Sequence, residues 1–254
     1  MRRFALNGYT TTTSYLIISL TISDFVTGGV VCAYAFATPP VIIGIFWATI
    51  SSTVFTIFFM SCQRLVVVVY PFKARHLITK RRIRVFIAGN WLVSSVLGGL
   101  MGGLPQPQQD YLNLALFTTT LILVLLMVVM YFAIIWHTKH KPKFSPESNC
   151  NRAVTIAQRE QRLTAVLLLL VAVLMVTVVP HHIVMAVFAG YRIFSDPRLV
   201  PNGFIVFSNY YLPVVLLNVV VNPIIYAWRL QDYRQSLFFY FRKSRRSGVN
   251  KDGP

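Results

Sequence analysis

Charge is what this sequence has least of. Asp, Glu, Lys and Arg make up only 12% of its 254 residues, about half of what a soluble domain carries. Acid is scarcer still, with seven Asp and Glu against 24 Lys and Arg and a net charge of +17. No paired carboxylates, no nucleophile beside a base and no phosphate-cradling glycine loop can be found, so catalysis is not expected. Cysteine is nearly absent: Cys32, Cys62 and Cys150 fall in separate segments, which excludes a disulfide framework and metal-type spacing. The opening Arg2, Arg3 and the polar stretch Asn7 to Thr13 lack the apolar core of a signal peptide.

What is there instead is apolar sequence in long runs. Hydrophobic residues are 56% of the chain and mean hydropathy is +0.62. Runs of about 20 residues are long enough to cross a bilayer as helices. They fall near 14–36, 41–70, 85–104, 112–136, 163–189 and 204–228. The fold class expected is an all-α membrane protein, a six-span helical bundle. The second run is longer than a span needs, so its inner end should project from the bilayer.

The basic residues sort by side. They cluster at Arg2 and Arg3, at Lys73–Arg84, at Lys139–Arg162 and in the tail from Arg229 to Lys251. The alternate connections are nearly bare, with only Asp110 between Pro105 and Asn113. Lys and Arg collect on the cytoplasmic side, so both termini are expected in the cytoplasm of a multi-pass plasma-membrane protein. The division is residues 1–13 as a cytoplasmic start, 14–228 as the transmembrane bundle and 229–254 as an amphipathic helix and basic tail. In that tail Tyr233, Leu237 and Phe241 share a helical stripe beside Arg234, Arg242, Lys243, Arg245 and Arg246, a pattern that lies on anionic membrane lipid. Basic residues without an aromatic-interleaved groove exclude nucleic acid as a partner. A transporter or channel would show internal repeats and several intramembrane charges, and neither is present.

Several motifs then fall in order. Asn222-Pro223-Ile224-Ile225-Tyr226 sits at the inner end of the last run. Ser19-Leu20-Thr21-Ile22-Ser23-Asp24 carries the one acid deep in a run. Gln63-Arg64-Leu65 ends the second run and Tyr70-Pro71-Phe72-Lys73 trails it. Trp91, Tyr131 and Pro180 punctuate the next three, and Tyr226-Ala227-Trp228-Arg229 leads into the tail. Together, from about residue 9 to 243, these resemble the rhodopsin-like (class A) G-protein-coupled receptors. The six runs correspond to helices 2–7 of that seven-helix fold. The absent first helix is read as a truncated product, a splice form or an incomplete gene model, three alternatives the sequence leaves open.

The resemblance implies a function: binding an extracellular ligand and activating a heterotrimeric G protein through outward movement of the family's sixth helix. The alternative is a degenerate or truncated receptor that does not signal and acts as a decoy or dimerisation partner. The switch and coupling residues implied are Arg64, Gln63, Tyr131, Glu160, Pro180, Asn222, Pro223 and Tyr226. Gln63 stands where the family has an acid, so one brace on Arg64 is lost. Arg64 either snorkels to water or pairs across the bundle, and Glu160 is either its cross-bundle partner or a solvated charge. Val178, in Thr177-Val178-Val179-Pro180, replaces the family's toggle tryptophan.

Asp24 is expected to face the bundle interior, because a carboxylate at the bilayer centre costs about 2.5–3.5 kcal/mol to insert. The resemblance groups it with Thr53, Asn218 and Asn222 around a sodium ion; the alternative is a protonated, hydrogen-bonded carboxyl with no ion. No other cofactor is implied. The ligand-binding positions implied are Phe46, Trp47, Ile50, His181, His182, Met185, Leu212 and Leu216. Phe46 offers no counter-ion for a biogenic amine, which points to a lipid, nucleoside or peptide; the alternative for His181 and His182 is plain helix packing. The connections at Pro39-Pro40 and Pro105–Asn113 lack cysteine, and Leu123 stands where the fifth family helix has proline. These departures resemble the melanocortin-like branch, within the group that includes adenosine and cannabinoid receptors.

Overall fold

The computed structural model describes residues 2–34, 39–140, 151–195 and 202–229. Among them every regular element is an α-helix: α1 (Arg2–Tyr34), α2 (Pro40–Val69), α3 (Pro71–Leu77), α4 (Lys80–Gly103), α5 (Gln106–His140), α6 (Asn151–Thr177), α7 (Val179–Phe194) and α8 (Asn202–Arg229).

Prolines and one cap set the boundaries. Pro40 opens α2 and Pro71 opens α3 at the first helical turn, where the missing N–H has no partner to lose. A residue before proline is pushed away from helical dihedrals. Tyr70, with φ −125° and ψ 64°, accordingly ends α2 where the sequence placed the end of its second run. Thr79 caps α4 by accepting from the Arg82 backbone N–H at 3.4 Å.

The described helices hold four segments long and apolar enough to cross a membrane, Thr13–Ala33, Pro40–Val69, Lys80–Gly103 and Gln106–His140. A fifth is formed if Gln161–Thr177 and Val179–Phe194, bent by 42°, make one broken span. The sequence expected a sixth over 204–228. There α8 is helical throughout, and Tyr210–Asn222 is a continuous apolar stretch among the side chains described. At the other end, α1 runs back through residues 2–13, the stretch expected to be a cytoplasmic start.

α2 is the hub, packing against α1, α3, α4, α5 and α6, while α5 lies on α7 and α8 closes against α1, α6 and α7. The core they share contains Leu16 and Leu20, Ile57 and Met60, Val124, Met127 and Tyr131, Leu167, Leu170 and Leu174. Outside this core the usual polarity is inverted. Phe25, Leu92, Leu125, Phe132 and Val176 point outward and are 83%, 67%, 64%, 68% and 67% exposed. A soluble monomer rarely shows contiguous apolar patches above a few hundred Å²; facing acyl chains, the same surface is satisfied.

Hydroxyls follow the same logic. Thr21, Thr27, Thr56 and Ser61 each donate to the carbonyl four residues back, at 2.7–2.9 Å. In a medium without water that bond keeps a polar side chain from being stranded.

α2 and α4 approach most closely. A β-carbon on Gly98 would run into the Gly44 carbonyl, and one on Gly102 into the Pro40 carbonyl. Gly44 in turn leaves 2.9 Å to the Gly98 carbonyl. Lipid provides no hydrophobic drive between helices, so small residues and interhelical hydrogen bonds do the joining. Asn90 supplies the second part, donating to the Ser52 carbonyl at 3.3 Å, the Ser52 hydroxyl at 3.0 Å and Thr56 at 3.1 Å. Trp91 donates to Ser19 at 3.0 Å and ties α4 to α1. At the end of the bundle where α5 starts and α7 ends, Arg192 pairs with Asp110 at 3.3 Å.

Candidate functional site

Three groups of side chains lie at successive levels along α2. From Trp47 to Arg64 the helix rises about 25 Å at 1.5 Å per residue, close to the thickness of a bilayer core.

At the first level the rings of α2, α5 and α7 meet. Trp47 meets Phe117 edge-on with centroids 5.4 Å apart, and Phe46 lies 6.4 Å from Trp47. Phe117 faces both His182 at 5.0 Å and His181 at 6.5 Å. Adjacent helical residues point about 100° apart, yet Phe117 lies between these two and meets both. His182 Nδ1 is shared with the Val178 carbonyl at 3.1 Å; His181 is 8% exposed and its Nδ1 has no partner among the described residues. Of the other positions expected to bind ligand, Ile50, Met185 and Leu216 are half-buried and Leu212 is exposed. The sequence missed Phe117. It lies inside a uniformly apolar run, and nothing in its spacing separates an inward ring from a lipid-facing one.

The second level is polar and sealed. Asp24 is 1% exposed. Thr53 donates to its Oδ1 at 3.3 Å and Asn222 to its Oδ2 at 3.1 Å, so α1, α2 and α8 converge on one carboxyl. Ser23 bonds Thr53 at 2.9 Å and the Leu20 carbonyl at 2.8 Å. Asn218 lies one turn before Asn222 on α8; the Oδ1 atoms of both are buried without a partner among the described residues. No group of three or more His, Cys, Asp or Glu is placed to hold a metal among the described residues. The donor set at Asp24 is therefore one carboxyl with amide and hydroxyl oxygens. Hard oxygen donors with a single negative charge suit a monovalent cation and give a transition metal little to hold.

At the third level Arg64 is 5% exposed, so it does not snorkel. Its Nη2 donates to the Thr13 hydroxyl of α1 at 3.1 Å. Gln63 beside it is 8% exposed, with an amide nitrogen that has no partner among the described residues. Tyr131 of α5 is 2% exposed, its hydroxyl close to Ser61 and Arg64 without completing a hydrogen bond. The side chains of Glu160, Pro223 and Tyr226, and the whole amphipathic tail after Arg229, lie outside the described residues.

Pro180 is half-buried just past the break between α6 and α7. Proline has no N–H and crowds the carbonyl four residues earlier, here that of Val176. This explains the 42° bend. The freed carbonyl accepts from the Tyr211 hydroxyl of α8 at 2.6 Å. Val178, at the break itself, is 6% exposed.

The profile of the family described as "7 transmembrane receptor (rhodopsin family)" matches residues 7–226 of this chain. No curated protein matches it.

Proposed function

Because the chain belongs to the rhodopsin family of seven-transmembrane receptors, a family of non-enzymatic membrane receptors, we propose that it binds an extracellular ligand at the Phe46–Trp47–Phe117–His181–His182 level and activates a heterotrimeric G protein at the Arg64 level. The observation that carries this reading is Arg64: a guanidinium 5% exposed and held by the Thr13 hydroxyl. Taking a guanidinium out of water is costly, so its burial favours a rearrangement that returns Arg64 to solvent or to a new partner. Outward movement of α6 opens that end of the bundle and releases Arg64 toward the G protein. In this reading the chain crosses the membrane six times within 14–228, with the Arg64 end and both termini in the cytoplasm of a plasma-membrane protein.

The ligand is not a biogenic amine, since the rings at Phe46 and Trp47 offer no carboxylate. Aromatic edges and one unpartnered imidazole nitrogen suit a flat or acyl-bearing molecule with few polar groups. The absence of cysteine from Pro105–Asn113 and leucine at 123 support a reading near the melanocortin-like branch. Asp24, Thr53, Asn218 and Asn222 would hold a sodium ion, which supplies positive charge between α1, α2 and α8 and favours the closed packing.

The test is nucleotide exchange on purified G protein by the chain in lipid nanodiscs. The expected result is basal exchange that Arg64→Ala removes while thermal stability stays within a few degrees. Exchange that persists unchanged in that variant would refute the assignment. A second reading, a receptor-like protein that binds partners without signalling, is favoured by Val178, which leaves the bend without an aromatic pivot. It predicts no exchange from either protein.

A further inference from the structure

We propose that Tyr211 is the positioning residue that sets the bend between α6 and α7, its hydroxyl standing in for the backbone N–H that Pro180 lacks. This rests on the receptor reading only for its functional consequence; the tie itself rests on geometry. Pro180 leaves the Val176 carbonyl without its helical donor. Val176 is 67% exposed on the lipid-facing surface, where no water is available to replace that donor. The Tyr211 hydroxyl reaches it at 2.6 Å from a different helix. The Tyr211 ring is itself fixed by stacking on Phe207, one turn earlier on α8, with centroids 4.9 Å apart and planes 13° from parallel. A rigid aromatic arm thus carries one donor to one orphaned acceptor.

The placement links two levels of the site. Tyr211 and Asn222 ride on the same helix, about 16 Å apart along its axis, and Asn222 binds Asp24. A shift of α8 that changes the Asp24 group moves the Tyr211 hydroxyl as well. A swing of α6 about the bend carries the Val176 carbonyl away from it. With valine rather than a large ring at residue 178, this hydroxyl is a polar contact through which the bend reaches α8.

The experiment is a double-mutant cycle of Tyr211→Phe and Pro180→Ala in nanodiscs. Tyr211→Phe deletes only the hydroxyl. It is expected to lower the apparent thermal midpoint by about 2–4 °C and to raise ligand-independent nucleotide exchange roughly two- to fivefold, the scale of a modest coupling energy. Pro180→Ala returns an N–H to the Val176 carbonyl, so in that background Tyr211→Phe should change neither quantity. Equal effects in both backgrounds, or none in either, would overturn the proposal. Should Pro180→Ala not fold, spin labels at Arg84 and Arg162 provide the readout. Tyr211→Phe should broaden their distance distribution or lengthen it, and an unchanged distribution overturns the tie. A stability cycle that comes out as stated with no nucleotide exchange from any variant would keep the tie and sink the receptor reading.

Discussion

Gly98 and Gly99 are neighbours in sequence, and alanine should act on them with opposite signs. A β-carbon at Gly98 would overlap the Gly44 carbonyl and lie 2.8 Å from the Ala48 β-carbon and 3.0 Å from its backbone nitrogen. Two of those three atoms are backbone, so no side chain can rotate away and α2 must separate from α4. Overpacking of that kind costs about 1–3 kcal/mol. It also draws on the Asn90 bonds two turns away, which at 3.0–3.3 Å have little slack before the hydrogen-bond limit. At Gly99 nothing lies within 4 Å. There the methyl faces lipid and only helix propensity changes, in alanine's favour by about 0.8–1.0 kcal/mol. For a chain of this size 1 kcal/mol moves the midpoint by about 2–4 °C. Gly98→Ala is therefore expected to lower the apparent midpoint by about 4–8 °C and Gly99→Ala to raise it by about 2–4 °C. Tryptophan fluorescence on heating in nanodiscs reads both. If the two variants shift together, or if Gly98→Ala is neutral, the α2–α4 register described here is wrong.

The remaining expectations concern polar groups. Thr13→Val should raise ligand-independent nucleotide exchange by several-fold, because a hydrogen bond to a charged group contributes about 1.5–3 kcal/mol; Thr13→Ser should restore the original level. Gln63→Asp, which returns an acid beside Arg64, should lower the same exchange, and an unchanged or higher rate would count against a resting role for Arg64. Asn90→Leu removes three bonds and should lower the thermal midpoint by an amount corresponding to about 1–2 kcal/mol, on the scale of bonds between membrane helices. Sodium chloride in place of choline chloride should raise the midpoint of the unaltered protein by a few degrees through mass action and leave Asp24→Asn unmoved. Equal responses would remove the ion from the Asp24 site.

The parts of this architecture that sequence reveals are those with one-dimensional signatures. The ends of α2 were legible because Pro39-Pro40 and Tyr70-Pro71 interrupt helix whatever surrounds them. The burial of Asp24 was legible because a carboxyl inside an apolar run must find partners; that Thr53 and Asn222 are among them came from the family resemblance rather than from the residues themselves. Thr13 was not, since it sits in the polar opening stretch that reads as a loop and is helical only because α1 continues backward against α2. Phe117 was hidden among equivalent rings. The Gly44–Gly98–Gly102 contact left a partial trace in the four-residue glycine spacing of α4, but its complement on α2 depends on how the two helices cross.

The Arg192–Asp110 pair gives the rim above the aromatic level a different mechanical character. It bridges the start of α5 and the end of α7 with charges that are 28% and 13% exposed, in a connection that carries no cysteine. Such a clasp is non-covalent and can open and re-form without chemistry. Reducing agents leave it intact, whereas added electrolyte weakens it by screening. In the proposed receptor reading, an arriving molecule with an acid of its own would compete for Arg192 and loosen the entrance it is about to pass.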